Sequence, residues 1–246
     1  QVIILIGFLL LLLKIDYRVN DFGKFNPSDD ASYMYHAYTI GLDFDLDYSN
    51  QIISDTEVVN PNFYINEDSY VPKHFIGSGI LAAPFVFIGS IFHKINSNLN
   101  FSGVDHIYFF YSIAPVFYFL VSVLLLTKVV NNSPNFKKAT PLLVFYLFIG
   151  SGLAYYSFER FSMTHTYEVF SISVLFYLSY KNKNGQNSKE NFLLGLLSIL
   201  FLMIRWTNIF IIFIPFLYYL LIQKKQNIKN LLKSISYYIG LFFGIS

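Results

Sequence analysis

Five aspartates, Asp29, Asp30, Asp43, Asp45 and Asp47, stand within the stretch Asn26 to Asn50 of a chain that is otherwise mostly apolar. A carboxylate beside apolar segments is costly unless water, an ion or a substrate meets it. A carboxylate in such a cluster could serve as a base. The adjacent pair Asp29-Asp30 also suits the start of a helix, where carboxylates meet free N–H groups and the positive end of the dipole. The two roles are compatible. Asp43, Asp45 and Asp47 alternate as calcium ligands can, but no glycine at the turn and no glutamate at the twelfth position complete an EF-hand. A solvated loop is the simpler expectation, with a divalent ion on Asp43 or Asp45 together with Asp29 as the alternative and no resident metal expected.

A second set of residues could hold an anion. Lys73 and His74 precede an apolar segment, Arg160 and His165 lie in Glu159 to His165, and Arg205 interrupts the long apolar run from Asn191 to Gln223. Cations at such places suit a phosphate, whose developing charge Arg and Lys clamps stabilise. An arginine inside an apolar run is expensive, so Arg205 either serves a function or snorkels to the interface beside Trp206. Tyr33 is the one aromatic singled out as a substrate contact, on position alone.

These residues must be positioned by membrane elements. The chain has 246 residues, of which 54% are hydrophobic and only 13% charged. Soluble domains carry about 25% charged residues. There is no cysteine, which removes thiol nucleophiles and Cys-ligated zinc, and a net charge of +2 argues against a nucleic-acid partner. Both ends look cut, each lying in an apolar run. Val2 to Leu13 is expected to be a first transmembrane helix lacking its start, and Lys14 to Arg18 offers no signal-peptide cleavage site.

Residues 15–75 form a polar first loop, with a short amphipathic helix from Ala31 to Leu42 capped by Ser28 or Asp29. Tyr33, His36 and Ile40 share one face of it, and Asn60-Pro61-Asn62 signals a turn. Ile76 to Ile95, broken by Gly77, Gly79, Pro84 and Gly89, either spans or lies at the interface. Further spans are expected at Ile107–Val130, Thr140–Phe158 and Thr166–Tyr180, then two across Asn191–Gln223 split at Arg205, and a last from Ser234.

If Ile76–Ile95 does not cross, the loops near residues 128–139, 181–191 and 223–233 share one side. They hold Lys128, Lys137, Lys138, Lys181, Lys183, Lys189, Lys224, Lys225, Lys229 and Lys233, with Glu190 their single acid among the chain's 15. The positive-inside rule then puts the lysine loops in the cytoplasm and the aspartate loop outside, at a plasma membrane. The expected fold is all-α: a polytopic transmembrane helical bundle over residues 1–246 with a large first outer loop containing short interfacial helices.

The order of these motifs resembles the GT-C superfamily of integral membrane glycosyltransferases. Asp29-Asp30-Ala31-Ser32-Tyr33 is similar to the acidic-pair segment in the first outer loop of protein O-mannosyltransferases and lipid A aminoarabinose transferases. Gly41-Leu42-Asp43-Phe44-Asp45-Leu46, Val71 to Gly79 followed by Ala83-Pro84-Phe85, Met163 to Glu168 and Met203 to Asn208 resemble later family segments in the same order. The family carries Ser more often where Thr164 stands here. The resemblance implies an inverting transferase that uses a polyprenyl-phosphate-linked sugar donor and a glycan, lipid or protein acceptor, without a further cofactor. It implies Asp29 as general base and Asp30 as its helper. It implies Arg205 on the donor phosphate with Lys73, His74, Arg160 and His165 behind it, and Tyr33, Asp43 and Asp45 near the substrate. Two other functions fit the composition: a transporter or channel, favoured by broken apolar segments and an intramembrane arginine, and a structural protein with an adhesive loop, for which Asp29 would be dispensable.

Overall fold

A computed structural model describes residues 29–50, 63–66, 69–95, 106–133, 139–182, 184–221 and 225–245. The segment Val2 to Leu13 and the turn at Asn60-Pro61-Asn62 lie outside the described residues. The chain groups into two compact units, residues 1–118 with 152–166 and residues 119–151 with 167–246.

In the first unit, α1 (Asp29–Tyr38) begins at the acidic pair and continues as a π-helical turn, Thr39–Asp43. No proline or glycine interrupts the stretch until Gly41, and the helical path ends where Phe44 turns into the left-handed region at φ 61°. That conformation is uncommon for a bulky residue, and the exposed Phe44 ring meets Phe87 edge-on. Ser32, Tyr33, Met34, His36, Ala37 and Thr39 are all buried. The helix is therefore enclosed around most of its girth, where a one-sided surface helix was expected.

It packs on α2 (Gly77–Ile95), which runs unbroken through Pro84 for 19 residues. At 1.5 Å per residue that is about 28 Å. The glycines expected to break this segment are points of close approach instead. A Cβ on Gly79 would lie 2.3 Å from the His36 Cβ, and one on Gly89 would lie 2.7 Å from the Ile107 Cα. Between α1 and α2 the chain forms a hairpin, β1 (Phe63–Asn66) antiparallel to β2 (Ser69–Pro72), with Phe63 opposite Pro72 and Asn66 opposite Ser69. The fold is predominantly helical, consistent with the all-α class expected, with this one short hairpin among the described residues. The β-forming Phe63-Tyr64-Ile65 and Tyr70-Val71 are the residues that signal the hairpin.

The long helix α3 (His106–Asn132) contributes its first part, to Tyr118, to this unit. There Tyr108 and Tyr111 receive the ring of Phe161 edge-on.

The expected span Thr140–Phe158 is two pieces, α4 (Pro141–Gly150) and α5 (Leu153–Phe158). Gly152 adopts φ 77° between them, a left-handed turn that ends one helix and starts the next. Thr140 caps α4, its hydroxyl accepting from the Leu143 N–H, and Pro141 takes the first position where no donor is needed. Next come α6 (His165–Lys181) and α7 (Ser188–Leu202), the latter capped by the Asn187 side chain.

Arg205 is extended at φ −161°, and from it a 3₁₀ helix, Trp206–Phe213, leads into α8 (Ile214–Leu221). The split at Arg205 falls where the sequence places it. The unit closes with α9 (Lys225–Leu232) and α10 (Ile235–Ile245). In the second unit α7 and α10 touch backbone to backbone: a Cβ on Gly195 would sit 2.1 Å from the Tyr237 carbonyl oxygen, and one on Gly240 would sit 2.1 Å from that of Phe192.

Among the described residues, α2 and α3 are long and apolar enough to cross a membrane. Pro141–Gly150, Trp206–Leu221 and Ile235–Gly244 are apolar but shorter. Phe92, Ile95, Leu147, Phe210, Leu221 and Phe242 all stand exposed. An outward surface of this kind is stable against lipid rather than water.

Candidate active site

Asp29 is the first residue of α1 and its side chain is 58% exposed. Its Oδ1 lies 3.4 Å from Nε2 of His74, a residue between β2 and α2 whose side chain is 25% exposed. The Tyr33 ring, one turn along α1, stands 4.9 Å from the His74 ring. Asp30 is the next residue of α1.

Two turns beyond Asp29 lies His36, only 4% exposed. Its Nε2 is 2.8 Å from the His74 backbone oxygen, and its Nδ1 is 2.7 Å from the Tyr48 hydroxyl. A carbonyl only accepts, so Nε2 carries the proton; in the neutral ring Nδ1 then accepts, and Tyr48 donates. Burial pushes the His36 imidazole below its ordinary value, opposed in part by the hydrogen bond to the His74 carbonyl. Burial, with the charge of Asp45 behind it, pushes the Tyr48 hydroxyl up to about 12. Both effects favour this neutral arrangement.

The aspartate loop delivers Tyr48. Asp45 Oδ1 accepts the Asp47 N–H at 3.1 Å, and Asp47 Oδ1 accepts the Ser49 N–H at 3.0 Å. These successive Asx turns are local turn chemistry. The Ser49 backbone N–H, then its hydroxyl, hold the Asp47 carboxyl below its ordinary value. Asp43, exposed, closes the π-helical turn. Among the described residues, no three His, Asp or Glu stand together as metal ligands.

A cleft of about 490 Å³ opens beside His74. Lys73 and His74 form one part of its lining, and Leu46, Val71, Phe75 and Ile76 supply apolar wall. Lys73 is exposed.

The remaining basic candidates divide between the units. Arg160 and His165 belong to the first, on the connection from α5 to α6, where Arg160 is exposed and His165 packs on Tyr156 with ring centroids 4.2 Å apart. Arg205 belongs to the second unit, where its Nη1 lies 3.9 Å from Glu168 Oε1. The geometry thus brings together Asp29, Tyr33 and His74 with His36 and Tyr48 in the first unit and, separately, Arg205 with Glu168 in the second. His36 carries a weak signal in sequence, standing on the Tyr33 face of the helix. For Tyr48 the only signal is an aromatic among acids, and for Glu168 none separates it from an ordinary first-turn acid.

No family model, no curated protein and no solved structure matches the chain. The likeness to GT-C glycosyltransferases therefore rests on the order of short motifs.

Proposed function

We propose that the protein is an integral membrane glycosyltransferase that moves a sugar from a polyprenyl-phosphate-linked donor to a hydroxyl acceptor. The observation that carries this reading is Asp29, a solvent-accessible carboxylate at a helix start, whose neighbour His74 lines a cleft together with Lys73 and apolar side chains. A lipid phosphate has the matching character: an anionic head for Lys73 and a hydrocarbon chain for Leu46, Val71 and Phe75.

In the reaction the acceptor hydroxyl gives its proton to the Asp29 carboxylate as its oxygen bonds to the anomeric carbon. The carbon–oxygen bond to the lipid phosphate breaks, its electron pair leaves with the phosphate, and the configuration inverts. Lys73 stabilises that leaving charge, with Arg160 and His165 of the same unit as further cationic candidates.

The charge pattern supports an aspartate loop outside a plasma membrane and lysine loops in the cytoplasm, within a polytopic bundle. The unbroken 19-residue α2 stands against that assignment, because it is long enough to cross.

The test compares wild type with Asp29→Asn in membranes supplied with radiolabelled polyprenyl-phosphate hexoses. A base contributes about 10²–10⁴-fold, so sugar release should fall by that order while donor binding persists. Equal rates would remove Asp29 from the chemistry. One observation favours transport as a second reading: the helix break at Arg205, with its ion pair to Glu168, is of the kind that builds substrate sites in transporters. Absent sugar release combined with solute uptake by reconstituted vesicles would establish it.

A further inference from the structure

We propose that His74 is a positioning residue for the Asp29 carboxylate, clamped by His36 and Tyr48, and that it does not hold the donor phosphate. The inference rests on the transferase reading and replaces the role that the sequence suggests for His74.

Three features carry it. First, Nε2 of His74 faces Asp29 Oδ1 at 3.4 Å. A carboxylate this close repels a phosphate brought to the same nitrogen and offers its N–H the better acceptor. Long catalytic contacts of this kind often tighten when substrate binds. Second, the other ring nitrogen, Nδ1, is buried and meets no hydrogen-bond partner. A proton there would be a stranded donor, so the tautomer that carries its proton on Nε2, facing Asp29, is the favoured one. Third, the residue is fixed from behind. The His36 Nε2–H donates to its backbone oxygen at 2.8 Å, and Tyr48 fixes the His36 tautomer by donating to Nδ1 at 2.7 Å.

Gly79 makes the clamp possible: any Cβ there would collide with His36 and push α1 off α2. The arrangement follows the logic of a base oriented by a second group, which is oriented in turn by a third. The phosphate contact at the cleft rim then falls to Lys73.

The experiment uses the protein in lipid nanodiscs, with undecaprenyl phosphate as the sugar-free binding probe and radiolabelled polyprenyl-phosphate hexoses as donors. His74→Ala should lower kcat by about 10- to 100-fold, the scale of a misplaced catalytic group, while the Kd for undecaprenyl phosphate stays within about twofold. His74→Gln, whose amide N–H reaches the place of Nε2–H, should restore most of the rate. Tyr48→Phe should lower kcat less and leave Kd alone. Lys73→Ala should raise Kd. If His74→Ala weakens undecaprenyl phosphate binding about tenfold and spares kcat, the positioning role is overturned and the transferase reading survives. If Gln rescues no better than Ala, the role is likewise overturned. If wild type releases sugar from no donor, the transferase reading fails and the role falls with it.

Discussion

His36 lies where three segments meet: α1, the aspartate loop through Tyr48, and the link into α2 through the His74 carbonyl. Its neutral form is the one the fold accommodates, so its folded pKa lies below the ordinary 6.5. In the unfolded chain the ring protonates as pH falls through that value, while in the fold it resists. The stability it contributes is fully present above about 6.5 and is lost as pH drops from there toward the folded pKa. Protonation would add a second N–H facing Tyr48 and a charge near His74. We therefore expect the thermal unfolding midpoint of the purified protein to fall between pH 7.5 and pH 5. His36→Gln keeps a donor for the carbonyl and cannot titrate, so it should flatten that dependence. An unchanged slope in the variant would assign the acid sensitivity to groups other than His36.

At the scale of elements, glycines set the distances between helices. α1 approaches α2 over Gly79, and α7 approaches α10 over Gly195 and Gly240, where polar backbone takes the place of side chains. Such close backbone contact supplies dispersion energy between the helices. Gly240→Val would drive a Cβ to within 2.1 Å of the Phe192 carbonyl oxygen and force α7 and α10 apart. The expected cost is at least the ~1–3 kcal/mol of an overpacked core, read as a lower thermal midpoint. Gly150→Ala is the control. Nothing lies within 4 Å of its added Cβ, and it should be neutral or slightly stabilising. A loss as large in Gly150→Ala as in Gly240→Val would deny the packing role of these glycines.

For the whole molecule the open question is which side of the membrane each loop occupies, and the absence of cysteine makes it directly measurable. Single cysteines at Asp43 and at Lys189 can be labelled from one side of sealed vesicles with an impermeant maleimide. The lysine distribution predicts opposite sides, with α2 not crossing. Labelling of both from the same side would mean that α2 crosses and would place the aspartate loop among the lysine loops.

Sequence alone determined that this is a helical chain suited to a membrane, because apolar runs and the near-absence of charge within them depend on residue type and order only. It also placed a helix start within two residues of Asp29 and a split at Arg205, since a carboxylate pair favours a helix N-terminus and a polar Arg205-Trp206-Thr207-Asn208 segment divides an apolar run too long for one span. The hairpin at Phe63–Pro72 went unread because the short strands are stabilised by pairing with each other rather than by a long local pattern. The glycines of α2 read as breaks because a sequence does not show what passes over them.

Only the tertiary structure decided that Asp29 meets His74, that His36 and Tyr48 stand behind it, and that Arg205 is paired with Glu168 in a different unit. These contacts join residues tens of positions apart in the chain. Spacing along the sequence constrains neighbours within a helical turn, whereas the meeting of distant segments depends on how closely whole elements pack.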